Sequence, residues 1–329
     1  MSTRILITGA SGFVGSKLIE RLLGQDQEYI IKATYNRTKP KIRNKNLVWL
    51  KTDLLKDEEI FKHLESIDIL IHLAGISNVG QINISEYSDM NNLNVDSALF
   101  LAEQAARSNV KQFILISSIA ASEFADCLEI NERNGLPNQP YGLSKYLSEI
   151  SLKKICKEYS MKYTILRPTA LFGENHKGSI YELAKLAKFG FLPIIGNESR
   201  TNFYFIDDFC DVIINVIFLE KAYNETYICS DSSLTYRDLS SHIAKNMGIR
   251  IKLLQFPLLV GYLISISLNI LSRVFLRTNP LSFQRLNAIS RKNIYSNKKI
   301  SEQLFIKPRI GVVSGLRKTV SWFKSNGLL

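Results

Sequence analysis

Tyr141 and Lys145 stand four residues apart in PYGLSKYLSEISLKKICKEY, a stretch that reads as helix. That spacing puts a phenol and an ammonium on one helical face, one turn apart. An ammonium beside a phenol stabilises the phenolate. The pair is therefore expected to carry a lowered phenol pKa and to donate or accept a proton near neutral pH. Alone, Tyr-x-x-x-Lys usually marks a solvated face. Here it follows KQFILISS, an apolar strand from Lys111 that closes on two hydroxyls, Ser117 and Ser118. In open α/β sheets that carboxyl end faces the ligand.

The elements that position these groups start at the N-terminus. In RILITGASGFVG the apolar run Ile5 to Ile7 breaks at Thr8 into three glycines, Gly9, Gly12 and Gly15. This is strand, tight turn, then a helix predicted over Ser16 to Leu23. The glycines remove Cβ atoms that would block the turn, the approach of a pyrophosphate and the packing of helix on sheet. Free amides at the helix start then face phosphates.

A second strand, Glu28 to Asn36, follows. After it an NAD site usually places Asp or Glu on the ribose hydroxyls, whereas this chain offers Asn36, Arg37, Lys39, Lys41 and Arg43. Cations there favour the 2′-phosphate of NADP, and the plainer reading is a basic surface loop. Leu47 to Asp53 is a third strand. Asp53 either accepts from an adenine amino group or caps a helix over Lys56 to Leu64. Asp68 to Gly75 is the fourth, fully apolar as a parallel strand covered on both faces requires. Ala74 and Gly75 let backbone approach a cofactor, and His72 inside the strand is expected to be a core histidine. A long helix from about Met90 to Ser108 carries the polar Asn94, placed to fix adjacent turns.

The loop Ala120 to Gln139, with Asp126, Glu129, Glu132, Gly135 and Pro137, is expected to cross a cleft. Tyr163 to Asn175 reads as a sixth strand running into a loop, and the pattern loosens over Gly178 to Gly196. FYFIDDFCDVIINVIFLE then returns to the main sheet. Glu225 to Asp231 is a further strand, and Ser233 to Met247 a helix with a Ser/Thr cap. Phe256 to Leu276 is the most apolar stretch. Its Pro257, Ser265, Ser267 and Asn269 argue for a buried or interfacial helix, with membrane-surface docking through 256–276 and Arg273 and Arg277 near headgroups as one expectation.

The chain has 329 residues, 46% of them hydrophobic, which suffices for one large domain or two coupled ones. Its net charge of +12 attracts anions. No basic stripe interleaved with aromatics marks a nucleic-acid binder. Four widely spaced cysteines, Cys127, Cys156, Cys210 and Cys229, and four histidines argue against a metal site. The simplest compartment is a reducing cytoplasm, with docking at the inner face of the membrane as the variant.

Together TGASGFVG, LIHLAG, LISS, YGLSK and LRPTALFG resemble the extended short-chain dehydrogenase/reductases, the NAD-dependent epimerase/dehydratase family that acts on nucleotide sugars. The resemblance runs from Thr3 to about Asp211. It implies an α/β fold, a doubly wound parallel sheet (Rossmann) with a smaller C-terminal substrate-binding region. The division expected is 1–172 for NAD(P) and 173–329 mainly for substrate, with returns to the sheet near 203–231. The family's catalytic serine falls on Ser118, with Ser117 as second choice, its tyrosine on Tyr141 and its lysine on Lys145. Cofactor contacts are implied at Gly9, Ser11, Gly12, Phe13, Val14, Gly15, Arg37, Asp53, Leu54, Leu73, Ala74, Gly75, Asn94, Tyr141, Lys145 and Pro168. Substrate contacts are implied at Ser117, Ser118, Asn175, Lys177 and Arg200.

Departures narrow the activity. Dehydratases of the family carry Thr-Asp-Glu where this chain has Ser118-Ile119-Ala120, so the acid that eliminates water is missing. Epimerases commonly keep NAD and an acidic residue after the second strand. The resemblance thus points to NADP in preference to NAD, and to reduction at C4 of a UDP-4-keto-6-deoxy-N-acetylhexosamine for O-antigen or capsule polysaccharide. A UDP-sugar 4-epimerase is the alternative and a non-catalytic nucleotide sensor the third reading. A homodimer through the Tyr141 helix and the one before it is the expected assembly.

Overall fold

The computed structural model describes residues 2–56, 58–77, 84–122, 129–132, 136–137, 139–195, 200–274 and 294–329. Asp126, Cys127, Gly135, Gly196, Leu276 and Arg277 lie outside the described residues. Seven strands form one parallel sheet: β1 (Thr3–Thr8), β2 (Tyr29–Tyr35), β3 (Leu47–Lys51), β4 (Ile69–His72), β5 (Gln112–Ile116), β7 (Lys162–Pro168) and β12 (Glu225–Cys229). Their order is β12-β7-β5-β4-β1-β2-β3, a doubly wound arrangement that reverses between β1 and β4. Two-stranded pairs flank it: β6 (Glu129–Ile130) with β15 (Ile294–Tyr295), β8 (Ala170–Phe172) with β11 (Phe203–Phe205), β9 (Phe191–Ile195) with β14 (Lys252–Phe256), and β10 (Arg200–Thr201) with β13 (Leu234–Thr235).

The helices are α1 (Phe13–Leu23), α2 (Ile84–Asn91), α3 (Ser97–Arg107), α4 (Pro140–Tyr159), α5 (Ser179–Ala187), α6 (Ile206–Asn215), α7 (Tyr236–Met247), α8 (Leu258–Val274), α9 (Lys298–Gln303) and α10 (Gly311–Ser325). Alternation along the strands divides the interior in two. Ile5, Ile7, Ile69 and Ile71 face Leu18, Ile19, Phe209 and Ile213 of α1 and α6. Leu6, Leu70, Phe113 and Leu115 face Leu101, Ala105, Leu152 and Ile155 of α3 and α4. A strand covered on both faces must be apolar throughout, which is why DILIHLAG reads as it does.

Three boundaries differ from expectation. α1 opens at Phe13 because Gly12 itself is the cap. The run expected from Met90 starts at Ile84 and is broken by a wide π turn over Asn92–Asp96. Lys56 to Leu64 holds only a 3₁₀ helix, Glu58–His63.

The C-terminal helix is tied down by charge. Asp208, buried on α6, accepts from Arg309 and Ile310 N–H through Oδ1 and from Gly311 N–H through Oδ2, each at 2.9 Å. Asp231 Oδ2 accepts from Val312 N–H at 2.6 Å. A carboxylate at a helix start satisfies its free amides and complements its dipole. Asp208→Ala is expected to cost about 3 kcal/mol, read as a lower urea midpoint at unchanged slope.

Candidate functional site

The glycine turn after β1 is built by close approach. Gly9 sits at φ +67°, and a Cβ there would lie 2.6 Å from the Ala74 backbone nitrogen. A Cβ on Gly15 would lie 2.5 Å from Ala10 Cα, so α1 meets the turn only through glycine. Gly12 N–H donates to the Gly9 carbonyl at 3.0 Å. Among the described residues no side chain caps α1, which leaves its first amides for an anion.

These amides open on a cavity of about 850 Å³ at the carboxyl ends of β1, β4, β5 and β7. Of the residues singled out from the sequence, the cavity brings together Gly9, Gly12, Phe13, Val14, Gly15, Leu73, Gly75, Ser117, Ser118, Tyr141, Lys145, Pro168 and Arg200. The start of α4 carries Tyr141, and Gly142 lets that start press on the Ser118 turn: a Cβ there would meet the Ala120 carbonyl at 2.1 Å. Ser118 caps the short 3₁₀ helix Ile119–Ala121 and is hydrogen-bonded to the Tyr141 side chain.

Burial raises the Tyr141 phenol above its ordinary value, with the Ser118 hydrogen bond acting the other way. This corrects the expectation of a phenol lowered by Lys145. Lys145 is itself buried, donates to the Ile116 carbonyl at 3.4 Å, and is brought down to about 8 by desolvation, against which Glu149 acts. Its ammonium would stand 2.9 Å from a Cβ on Gly75, so the backbone passes directly over it.

Ser117 belongs to a different constellation. Its hydroxyl donates to Glu149 Oε1 at 2.5 Å, and Glu149 is paired with Arg167 by Nε at 2.9 Å and Nη2 at 2.6 Å. Arg167 also donates to Ser122 Oγ and the Glu132 carbonyl. With its proton committed to Glu149, Ser117 is not the hydroxyl beside the phenol.

Other expected contacts stand apart from the cavity wall. Ser11 and Arg37 are exposed, and Asp53 accepts from Leu55 N–H at 3.1 Å, capping a turn. Leu54, Ala74, Asn175 and Lys177 do not line the cavity either. Asn94, pushed inward by the π turn, bonds both backbone groups of Ile76 and donates to Ser144 Oγ at 3.0 Å, bracing the wall from behind. Arg200 lines the rim and donates to Ser233 Oγ. His72 is the core histidine expected, its Nδ1 2.7 Å from Thr8 Oγ1 and its pKa pushed down to about 3 by burial.

The sequence reading missed Thr169, His176 and Tyr295, all on the wall. His176 stacks on Phe13 at 4.4 Å between ring centres. Thr169 Oγ1 is buried without a hydrogen-bond partner among the described residues. Its place just past β7 was the available signal, since strand carboxyl ends face the ligand. A glycine cradle with uncapped amides and an orphaned hydroxyl across the cavity fit a dinucleotide and a polar substrate.

The pattern of the NAD dependent epimerase/dehydratase family matches residues 5–227. The chain is 29% identical to the UDP-glucose 4-epimerase of Vibrio cholerae over 237 residues, 70% of this chain and 71% of that one. It is 24% identical to the N-acetyl-α-D-glucosaminyl-diphospho-ditrans,octacis-undecaprenol 4-epimerase of Escherichia coli O157:H7, over 98% of this chain and 96% of that one. Among solved structures, a UDP-glucose 4-epimerase from Thermotoga maritima superposes with a TM-score of 0.77 at 22% identity, covering 98% of this chain and 99% of that one. A UDP-glucuronic acid 4-epimerase from Bacillus cereus gives a TM-score of 0.77 at 19% identity, covering 98% and 97%.

Proposed function

We propose, from the premise that this chain belongs to the NAD dependent epimerase/dehydratase family, that it is a nucleotide-sugar oxidoreductase reducing the C4 keto group of a UDP-4-keto-6-deoxy-N-acetylhexosamine. The observation that carries this reading is Tyr141 beside Ser118 in the cavity, its phenol held protonated by burial. A protonated phenol is the donor that a developing C4 alkoxide requires.

In this reading a nicotinamide dinucleotide, when bound, supplies the hydride. Gly9, Gly12 and Gly15 make room for its pyrophosphate, and the α1 amides hold the charge. Lys145 holds the nicotinamide ribose. Ser118 fixes the substrate oxygen by hydrogen bond, Tyr141 protonates it, and Arg200 binds diphosphate at the rim. Residues 173–329 mainly hold the sugar nucleotide, apart from the returns near 203–231. Arg37 and Lys39 after β2 support NADP. Exposed Leu99, Phe100, Leu147 and Ile150 on α3 and α4 support a homodimer through these helices.

A second reading, 4-epimerisation with retained NAD, is favoured by the relatives named 4-epimerases, one of which aligns over 98% of this chain. The two separate in one assay. Purified protein given a UDP-4-keto-6-deoxy-N-acetylhexosamine is expected to oxidise NADPH in step with sugar reduction. No oxidation of NADPH or NADH, with NAD released on denaturation, would favour the epimerase and overturn the ketoreductase.

A further inference from the structure

We propose that α8, together with the β9/β14 pair and the end of α5, forms a surface that docks on an anionic lipid bilayer. The inference is independent of which sugar the cavity takes.

α8 is turned inside out relative to an ordinary surface helix. Among its described side chains, 258–267, the buried positions are Gly261 and Ser265, while Leu259 is 69% and Leu263 57% exposed, with Ile264 and Ile266 beside them. A water-facing helix shows the opposite pattern, large apolar side chains inward. Further exposed apolar side chains lie on β9, which α8 contacts, on its partner β14 and in the turn before β9. Leu254 on β14 and Phe191 on β9 are exposed, and Phe189, in the turn between α5 and β9, is 73% exposed. Exposed apolar side chains gathered on neighbouring elements mark an interaction site.

Charge identifies the occupant. Between Asp238 and Glu302 the sequence holds ten lysines and arginines and no carboxylate. Of these, Lys245, Arg250 and Lys252 are exposed; Lys252 stands on β14 two residues before Leu254, its N–H donating to the Gly190 carbonyl at 2.9 Å, and Lys188 is exposed next to Phe189. A second copy would meet this surface with the same positive charge. An anionic bilayer takes the apolar face and the cations together, each cation near such a surface adding to the attraction. Among the described residues no helix is long and apolar enough to cross a membrane. α8 therefore lies in the interface rather than through it.

The surface is close to the cavity. Ser179 and Ile180 at the start of α5 line the cavity, and Leu186 near its end is exposed, three residues before Phe189. The nine residues of α5 span about 14 Å. Tyr295, reached by the chain after α8, lines the same cavity. Docking would hold the catalytic cleft one short helix above the headgroups.

The test is sedimentation of the full chain with vesicles of phosphatidylethanolamine and phosphatidylglycerol, and with phosphatidylcholine vesicles, at low and high salt. The wild type is expected to pellet with the anionic vesicles, less so at high salt. Leu259→Glu/Leu263→Glu should lower partitioning about tenfold or more. Arg250→Glu/Lys252→Glu should do the same through charge, so a folding defect in either pair cannot by itself produce the result. Urea midpoints near wild type are expected for both, because all four side chains are solvent-facing. A wild type that stays in solution at low salt overturns the proposal, as does equal binding to neutral vesicles. A dimer dissolved by the leucine pair, without vesicle binding, would reassign the patch to self-association and overturn it as well.

Discussion

Tyr141→Phe is expected to lower kcat by about 10³-fold while leaving dinucleotide retention and the urea midpoint near those of the wild type. The variant removes one oxygen from a half-buried ring, and Ser118 remains hydrogen-bonded to backbone through Ala120 N–H at 3.2 Å. Only the proton donor is lost. The pH dependence separates the phenol from its neighbour. Lys145 sits at about 8, so its ammonium is present below that pH and lost above it. The phenol, raised above its ordinary value, keeps its proton across the same range. The fall in kcat/KM above about pH 8 therefore belongs to Lys145, and the residual activity of Tyr141→Phe should keep it. Steady-state rates from pH 6 to 10 check both points. Turnover equal to wild type in the phenylalanine variant would remove Tyr141 from the mechanism.

What the sequence revealed of this site follows from the range of the interactions involved. The glycine turn is local: Gly9, Gly12 and Gly15 lie within seven residues, and Gly9 and Gly15 are required by close approaches that only glycine allows, while a Cβ on Gly12 would lie a tight 3.2 Å from the Gly9 carbonyl. The strands β4 and β5 were legible for the same reason, since burial on both faces forces a continuous apolar run. Distance defeats such reading. The partner of Ser117 is Glu149, thirty-two residues on, and the partner of Glu149 is Arg167 on another strand. No spacing rule ties three such residues together. The Tyr141 pKa failed differently. Proximity of Lys145 along a helix is visible in sequence, but the desolvation that outweighs it depends on everything packed around the ring. α8 is ambiguous between buried and interfacial because its few polar residues, Ser265, Ser267 and Asn269, fit either setting. Only the neighbours of Gly261 and Ser265 decide which side is out.

The Glu149 carboxylate offers the second large effect, and it acts at a distance from the phenol. Glu149 and Arg167 are 1% and 4% exposed in their side chains and joined by two hydrogen bonds. Glu149→Ala leaves a guanidinium buried without its partner, which is expected to cost about 3–5 kcal/mol in urea unfolding. Glu149→Leu/Arg167→Met removes both charges and should recover most of that loss, because an apolar pair needs no compensation. Activity need not follow stability. Glu149 lies one turn beyond Lys145 on α4 and is the charge that opposes its desolvation, so without Glu149 the ammonium loses its proton at lower pH. The alkaline limb of kcat/KM should therefore begin below pH 8 in the stable double variant. A limb that stays in place while stability recovers would make the pair a structural strut with no hold on Lys145. A limb that moves shows that the core beneath the cavity sets the proton affinity of its lysine, through a residue that touches no ligand.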